Sequence, residues 1–274
     1  MKKLVSVIVT TKNEQAVIKR LLTSISAQSY SKIEIIVVDN RSSDKTRLIA
    51  KKFTPNVFIA GPERSAQRNF GAKKAKGDYL FFLDADMELT AKVVEMCLKS
   101  IEKSARTAMV VVPEISIANR FWERVKAFER SFYFEAGDFK IEAARFFRKE
   151  AFFEVGGYDE QITGPEDWDL PEQLKQKKYR AVRIKAPIYH YERIDSVWQL
   201  GRKKYYYGLK AHTYMQKNKV SVFGTKTIYF LRPVFYSQWK KLISHPFMSI
   251  SMFVMLTIEQ LYGGIGYMMG RFHK

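Results

Sequence analysis

The sequence predicts an α/β domain, a mostly parallel sheet with helices on both faces, followed by a basic helical tail. Three observations predict it. β-rich runs alternate with amphipathic helical patterns at the spacing of βαβ units. Three of the first four runs end in polar and acidic clusters, as expected where such a sheet binds ligands at its carboxyl edge. Residues 196–274 hold twelve Lys or Arg and one acid, Glu259, and so carry +11 of the chain's +19, with aromatics interleaved.

The elements follow in order. Val5, Val7 and Val9 mark a first strand over Leu4–Thr10, closed by Thr11, Lys12, Asn13 and Glu14. Val17, Ile18, Leu21, Leu22 and Ile25 recur on one face of a helix reaching about Gln28. Ile33–Val38 is a second strand ending in Asp39-Asn40, and Ser42, Ser43 and Asp44 are helix-start residues for a helix to about Lys52. Val57–Ile59 is a short third strand, and Arg64–Lys76 a basic helix stopped by Gly77. Tyr79–Leu83 is too short and apolar for a comfortable helix and reads as a buried strand running into Asp84-Ala85-Asp86. A helix over 91–103 and a strand over 108–112 complete the regular alternation.

Beyond Pro113 the pattern changes. Residues 119–135 form an aromatic-rich amphipathic helix, 143–147 a strand, and Gly156-Gly157-Tyr158-Asp159-Glu160 a turn. Glu166-Asp167-Trp168-Asp169-Leu170 opens a polar helix to about Lys178. A strand over 179–185 leads through Pro187 to Ile188–Glu192, and 196–218 is a basic, tyrosine-rich helix. The domains expected are therefore 1–195 and 196–274.

Composition narrows the function. With 46% hydrophobic residues the chain can bury a substantial core. Its one cysteine, Cys97, excludes a disulfide framework or a cysteine zinc site and fits a reducing compartment. The start, Met1-Lys2-Lys3, lacks the pattern of a signal peptide. Neither Gly-x-Gly-x-x-Gly nor Gly-x-x-x-x-Gly-Lys-Ser/Thr follows a strand, which disfavours a dinucleotide site and excludes a P-loop. Asp84 and Asp86, two apart on extended chain, project to the same side. Two hard oxygen ligands suit Mg²⁺ or Mn²⁺ with a diphosphate completing the shell. The alternative is an acidic turn capping the helix that follows Thr90.

The ordered set of motifs resembles the family 2 glycosyltransferases. It runs from Val5–Glu14, through Ile36–Asn40 with Ser42-Ser43-Asp44 and Ala66–Gly71, to Gly77–Tyr79 with Leu83–Asp86. Gly156–Glu160 and Glu166–Leu170 then match in order, so the resemblance covers roughly residues 4–192. It implies a GT-A fold, a nucleotide-diphosphate sugar donor with a lean to uracil, and Mn²⁺ or Mg²⁺. Asp39 would bind the nucleotide base with Thr11 and Glu14 nearby. Asp84 and Asp86 would hold the ribose and the metal-diphosphate, Arg68 would lie near the diphosphate, and Asp167 would be the catalytic base of an inverting displacement. His190 is a further candidate metal ligand. Gln199-Leu200-Gly201-Arg202-Lys203 resembles the Gln-x-x-Arg-Trp motif of processive synthases, with Lys203 replacing the tryptophan; Arg202 would contact the diphosphate.

Residues 242–258 contain no Lys, Arg, Asp or Glu and are flanked by Trp239-Lys240-Lys241. Seventeen residues is short of the ~20 needed to span a bilayer, and Glu259 with Gly263-Gly264 interrupts the run. An interfacial or re-entrant segment at an anionic membrane surface is expected, at the cytoplasmic face. The acceptor expected is a hydroxyl on a lipid-linked saccharide or other cell-envelope glycan precursor, with no nucleic acid as partner. The alternatives are a polyprenyl-phosphate acceptor, a nucleotidyltransferase, and a non-enzymatic nucleic-acid-binding protein.

Overall fold

The computed structural model describes residues 2–137, 142–222, 224 and 227–272. The expected tail, 196–274, therefore includes positions 223, 225, 226, 273 and 274 that lie outside the described residues. Along the chain the strands are β1 (Val5–Thr11), β2 (Ile33–Asp39), β3 (Val57–Ile59), β4 (Tyr79–Asp84), β5 (Met87–Leu89), β6 (Thr107–Val111), β7 (Glu114–Ile117), β8 (Arg145–Arg148), β9 (Arg180–Arg183) and β10 (Ile188–Tyr191). The helices are α1 (Ile18–Ser26), α2 (Thr46–Ala50), α3 (Arg64–Lys74), α4 (Val93–Ile101), α5 (Phe121–Ala136), α6 (Lys149–Glu154), α7 (Glu166–Gln176), α8 (Val197–Lys217), α9 (Pro233–Tyr236), α10 (Trp239–Ser244) and α11 (Pro246–Phe272). Most expected elements are present with ends trimmed by a few residues.

The chain packs as two compact units that interleave along the sequence: 1–115, 139–160 and 166–190 form one, and 116–138, 161–165 and 191–274 the other. The sequence reading expected one boundary, at residue 195. Helix α5 departs from that expectation, because its Lys126 pairs with Glu259 and its Tyr133 hydroxyl accepts from Arg232, both partners lying in 191–274.

In the first unit a seven-stranded sheet runs β3-β2-β1-β4-β8-β6-β9. β1 is parallel to β2 and β4, and β6 to β9, whereas β8 is antiparallel to both of its neighbours. All seven residues of β1 are buried. That is why its Val and Ile run lacks the strong polar alternation of a half-exposed strand. One face packs on α1, α2 and α4 through Leu21, Leu22, Ala50, Val94 and Ile101. The other packs on α3, α6 and α7 through Ala72, Phe152, Leu170 and Leu174. Each fully buried aliphatic side chain here stabilises the fold by about 1.5–3 kcal/mol.

Two features set the carboxyl edge. Gly71 lets α3 lie close on β1, since a Cβ there would stand 2.5 Å from the Ile8 side chain. The buried Gln67 amide donates to the carbonyls of Thr11 (3.1 Å) and Val38 (2.7 Å), tying α3 to the ends of β1 and β2. Next to this sheet a small one runs β5-β10-β7, with His190 opposite Met87.

In the second unit α11 continues through Glu259 and Gly263-Gly264, where the sequence suggested an interruption. Glu259 is 1% exposed and pairs with Lys126 at 3.1 Å and Lys204 at 3.7 Å, so its charge is met inside the unit. Gly266 and Gly270, further along, serve close packing on α8: a Cβ at Gly266 would stand 2.2 Å from the Tyr205 carbonyl and one at Gly270 2.1 Å from that of Leu209. By length and mean hydropathy (1.2), α11 is apolar enough to cross a membrane.

Candidate active site

The first cluster forms where β1 and β2 end. Asp39 is fully buried and accepts from Thr11 Oγ1 (2.8 Å), the Ser42 amide (2.8 Å) and Ser42 Oγ (2.5 Å), with Arg47 at 3.6 Å. The Glu14 amide donates to Thr46 Oγ1 at 2.7 Å and the Asn13 amide to Ser42 Oγ at 2.7 Å. Asn13 takes φ 58° and Arg41 φ 50°, left-handed turns that fold both loops onto each other. Thr11, Glu14 and Asp39 are thus brought together, with Asp39 organising the loop pair from within.

The second cluster lies at the end of β4. The strand stops at Asp84, and Asp86 stands in the turn before β5 rather than further along extended chain. The two carboxylates therefore take different partners. Asp84 pairs with Arg64 at 3.4 Å and Arg68 at 3.2 Å, so both its oxygens are engaged. Burial opposes ionisation of Asp84, but Arg64, Arg68 and His190 outweigh it and hold the carboxyl well below the usual carboxylate range. Asp86 Oδ2 lies 3.5 Å from His190 Nε2, and Asp86 Oδ1 is buried with no hydrogen-bond partner. Burial opposes its charge too, yet His190 lowers its pKa in spite of the neighbouring Asp84.

His190 is held from behind by Glu114, whose Oε2 lies 2.8 Å from Nδ1. Glu114 is itself anchored by the amides of Ala143 and Ala144. With a cation bound, an Nδ1 hydrogen donated to Glu114 would leave the Nε2 lone pair for the ion beside Asp86, the carboxylate–histidine arrangement that orients metal ligands. An orphaned buried oxygen beside such an imidazole fits a divalent cation. Among the described residues, no three His, Cys, Asp or Glu side chains converge closely enough to hold an ion alone, so most of its ligands would come from elsewhere. A Glu114→Gln variant should then need about 10–100-fold more Mn²⁺ for half-maximal activity while folding normally; a metal titration of activity checks it.

Arg68, 1% exposed on α3, joins this cluster to the third. Its guanidinium donates to Asp84 (3.2 Å) and to Asp167 (3.0 Å), lies 3.9 Å from Glu166, and stacks 5.1 Å from the Tyr158 ring centre. Asp167 and Glu166 occupy the first turn of α7, where the helix dipole favours negative charge. Burial and Asp167 push the Glu166 pKa up against the pull of Arg64 and Arg68. Asp84, Asp86, Arg68, Asp167 and His190 thus form one continuous array. Arg202 is exposed on α8 in the second unit. The sequence reading missed Arg64 and Glu114. Arg64, at the start of a basic helix, and Glu114, following a strand and Pro113, had positional signals.

Comparison with known proteins gives the following. The sequence model of Glycosyl transferase family 2 matches residues 6–158. An uncharacterized glycosyltransferase of Haemophilus influenzae is 26% identical over 200 residues, 68% of this chain and 67% of that protein. The GalNAc(5)-diNAcBac-PP-undecaprenol beta-1,3-glucosyltransferase of Campylobacter jejuni is 35% identical over 94 residues, 31% of this chain and 30% of its own length. A mannosyltransferase from Pyrobaculum calidifontis, solved with GDP-Man and Mn²⁺, superposes with TM-score 0.59 at 15% identity, covering 100% of this chain and 87% of that one. The mixed, mostly parallel seven-stranded sheet is accordingly GT-A-like.

Proposed function

Because the chain belongs to glycosyl transferase family 2, we propose that it transfers a sugar, with inversion, from a nucleotide-diphosphate sugar to a hydroxyl of a lipid-linked or cell-envelope glycan precursor. The observation that carries this reading is the Arg68 guanidinium shared between Asp84 at 3.2 Å and Asp167 at 3.0 Å. One buried cation spaces a donor-side acid from a candidate base. The sugar's anomeric carbon would lie near both.

Asp39, Thr11 and Glu14 form the nucleotide end. Asp39 holds the two loops on which the base rests. Asp86 and His190 would hold a divalent cation, Mn²⁺ or Mg²⁺; bound, it would neutralise charge on the leaving diphosphate. Asp84 keeps Arg64 and Arg68 aimed at the same phosphates. Asp167 accepts the proton of the attacking hydroxyl. The acceptor oxygen bonds to the anomeric carbon from the face opposite the diphosphate as the bond to the diphosphate oxygen breaks. A panel of UDP- and GDP-sugars, assayed for release of free nucleoside diphosphate with and without Mn²⁺, tests the reading. Turnover of none of them, by a chain that is folded, would remove it.

We infer that the second unit attaches to an anionic membrane surface, on the cytoplasmic side. Phe247, Ile250, Val254, Leu261 and Ile265 are all exposed on α11, at spacings that put them on one helix face. Trp239 and Ile243 of α10 are exposed as well, and Lys240 stands beside them. Glu259, turned inward to Lys126 and Lys204, leaves that face uncharged. A helix apolar along one face and fixed to its own unit on the other suits lying in the headgroup region rather than crossing. The full chain should float with vesicles containing phosphatidylglycerol, and an Ile250→Glu/Leu261→Glu variant should lose at least tenfold in vesicle affinity. Unchanged flotation of the variant would remove the stripe from the account.

A further inference from the structure

Arg145 is a long cation of the sheet that the proposed mechanism leaves without work. It is 1% exposed, and its Nε, Nη1 and Nη2 atoms are all buried without a hydrogen-bond partner. A guanidinium keeps its proton at any relevant pH, so it cannot escape burial by becoming neutral. A buried charge is retained where something of opposite sign meets it, and among the described residues no group hydrogen-bonds to this one.

Its position says what would. Arg145 faces Phe82 across β4 and Val111 across β6. Two residues along β8, Phe147 lies in the core on the α3 and α7 side, so Arg145 points to the same side. Next in that direction is Tyr158, whose ring packs on Phe82, Phe147 and Phe152, and whose hydroxyl is also buried without a partner. The phenol lies within the fields of Arg68, Asp167, Arg145 and Glu166. Burial raises its pKa beyond what the two arginines can offset, so it stays a neutral donor. Arg68 Nε, stacked on the same ring, is a third buried donor without an acceptor. Three side chains thus present donors without a hydrogen-bond partner, near the candidate base.

We propose that Arg145, with the Tyr158 hydroxyl, forms an anion subsite for the acceptor, so that the molecule receiving the sugar carries a phosphate group seated on this guanidinium. The inference rests on the glycosyltransferase reading and narrows its acceptor from any hydroxyl compound to a phosphorylated one. The group must be compact, because all three donors are buried around the Tyr158 ring. A phosphate or diphosphate fits them, whereas a sugar ring would leave the charge unmet. The chemistry is shared by a soluble sugar phosphate and by a lipid-linked phosphate.

The test uses the full chain and inorganic phosphate as probe. Phosphate should raise the melting temperature of the wild type, and an Arg145→Met variant should melt at the same or a higher temperature without phosphate while losing at least four-fifths of that rise. An equal rise in both proteins, or none in the wild type, overturns the proposal. Tyr158→Phe keeps the ring packing and should shrink the response by a few-fold; an unchanged response counts against the subsite even if Arg145→Met fails to fold. In transfer assays, Arg145→Met should raise the acceptor KM at least tenfold while hydrolysis of the nucleotide sugar without acceptor persists. Running a soluble sugar phosphate beside a short-chain polyprenyl diphosphate sugar separates the two sources. Loss of hydrolysis by the wild type would sink the glycosyltransferase reading instead, a separate result.

Discussion

An Asp167→Asn enzyme is expected to transfer sugar about 10³-fold more slowly than the wild type, within the range typical of a removed general base. The loss should fall on kcat. Asparagine keeps the size of the side chain and an oxygen that can accept from Arg68, now at 3.0 Å from Asp167. Donor binding, which depends on groups around Asp39, Asp84 and Asp86, should hold to within a few-fold. Slow hydrolysis of the donor by water should persist, because it does not need an acceptor proton removed in the same way. The measurement is a progress curve of nucleoside diphosphate release with and without acceptor, together with donor affinity by calorimetry. A variant that transfers at more than a tenth of the wild-type rate would show that Asp167 holds Arg68 rather than taking a proton.

The Asp86→Asn change should cost about as much, roughly 10³-fold in kcat/KM or about 4 kcal/mol of transition-state stabilisation, and for a different reason. Asp86 Oδ1 is buried and has no hydrogen-bond partner among the described residues. Its charge faces His190, 3.5 Å away. Replacing it with an amide should leave folding stability within about 1 kcal/mol, since asparagine keeps the shape and one acceptor oxygen. It should, however, abolish the dependence of donor binding on Mn²⁺. Calorimetry of the nucleotide sugar with and without the metal separates this from a general loss of affinity. If the variant still binds donor more tightly with Mn²⁺, the cation is held elsewhere.

The core and its order of elements were legible because each rests on short-range patterning. Val5–Val9, Ile36–Val38 and Tyr79–Leu83 are apolar runs of strand length, and each is buried in the seven-stranded sheet. Asp39 and Asp84 were found because a run of buried residues ending in a carboxylate marks a strand end. The two loops after β1 and β2 interlock through Asn13, Ser42 and Thr46, which their polar composition hints at but does not specify.

Other features depend on contacts far apart in sequence. Arg68 meets Asp167 ninety-nine residues away, and Glu114 meets His190 seventy-six residues away. No local period announces such pairs, since their energy comes from burial that exists only after the sheet has closed. Glu259 looked like a break in an apolar run; buried between Lys126 and Lys204, it is compatible with a continuous 27-residue helix. Arg145 looked like an ordinary strand residue until its neighbours proved to be Phe82, Val111 and Tyr158.

Residue order alone therefore settles the α/β class, the succession of strands and helices, and the acids that arrive at one edge of the sheet, because apolar periodicity and strand length act over a few residues. Packing settles which charges meet, where a glycine lets two helices touch, and which buried cation is left unanswered, because these depend on desolvation and on atoms that approach only in the closed fold.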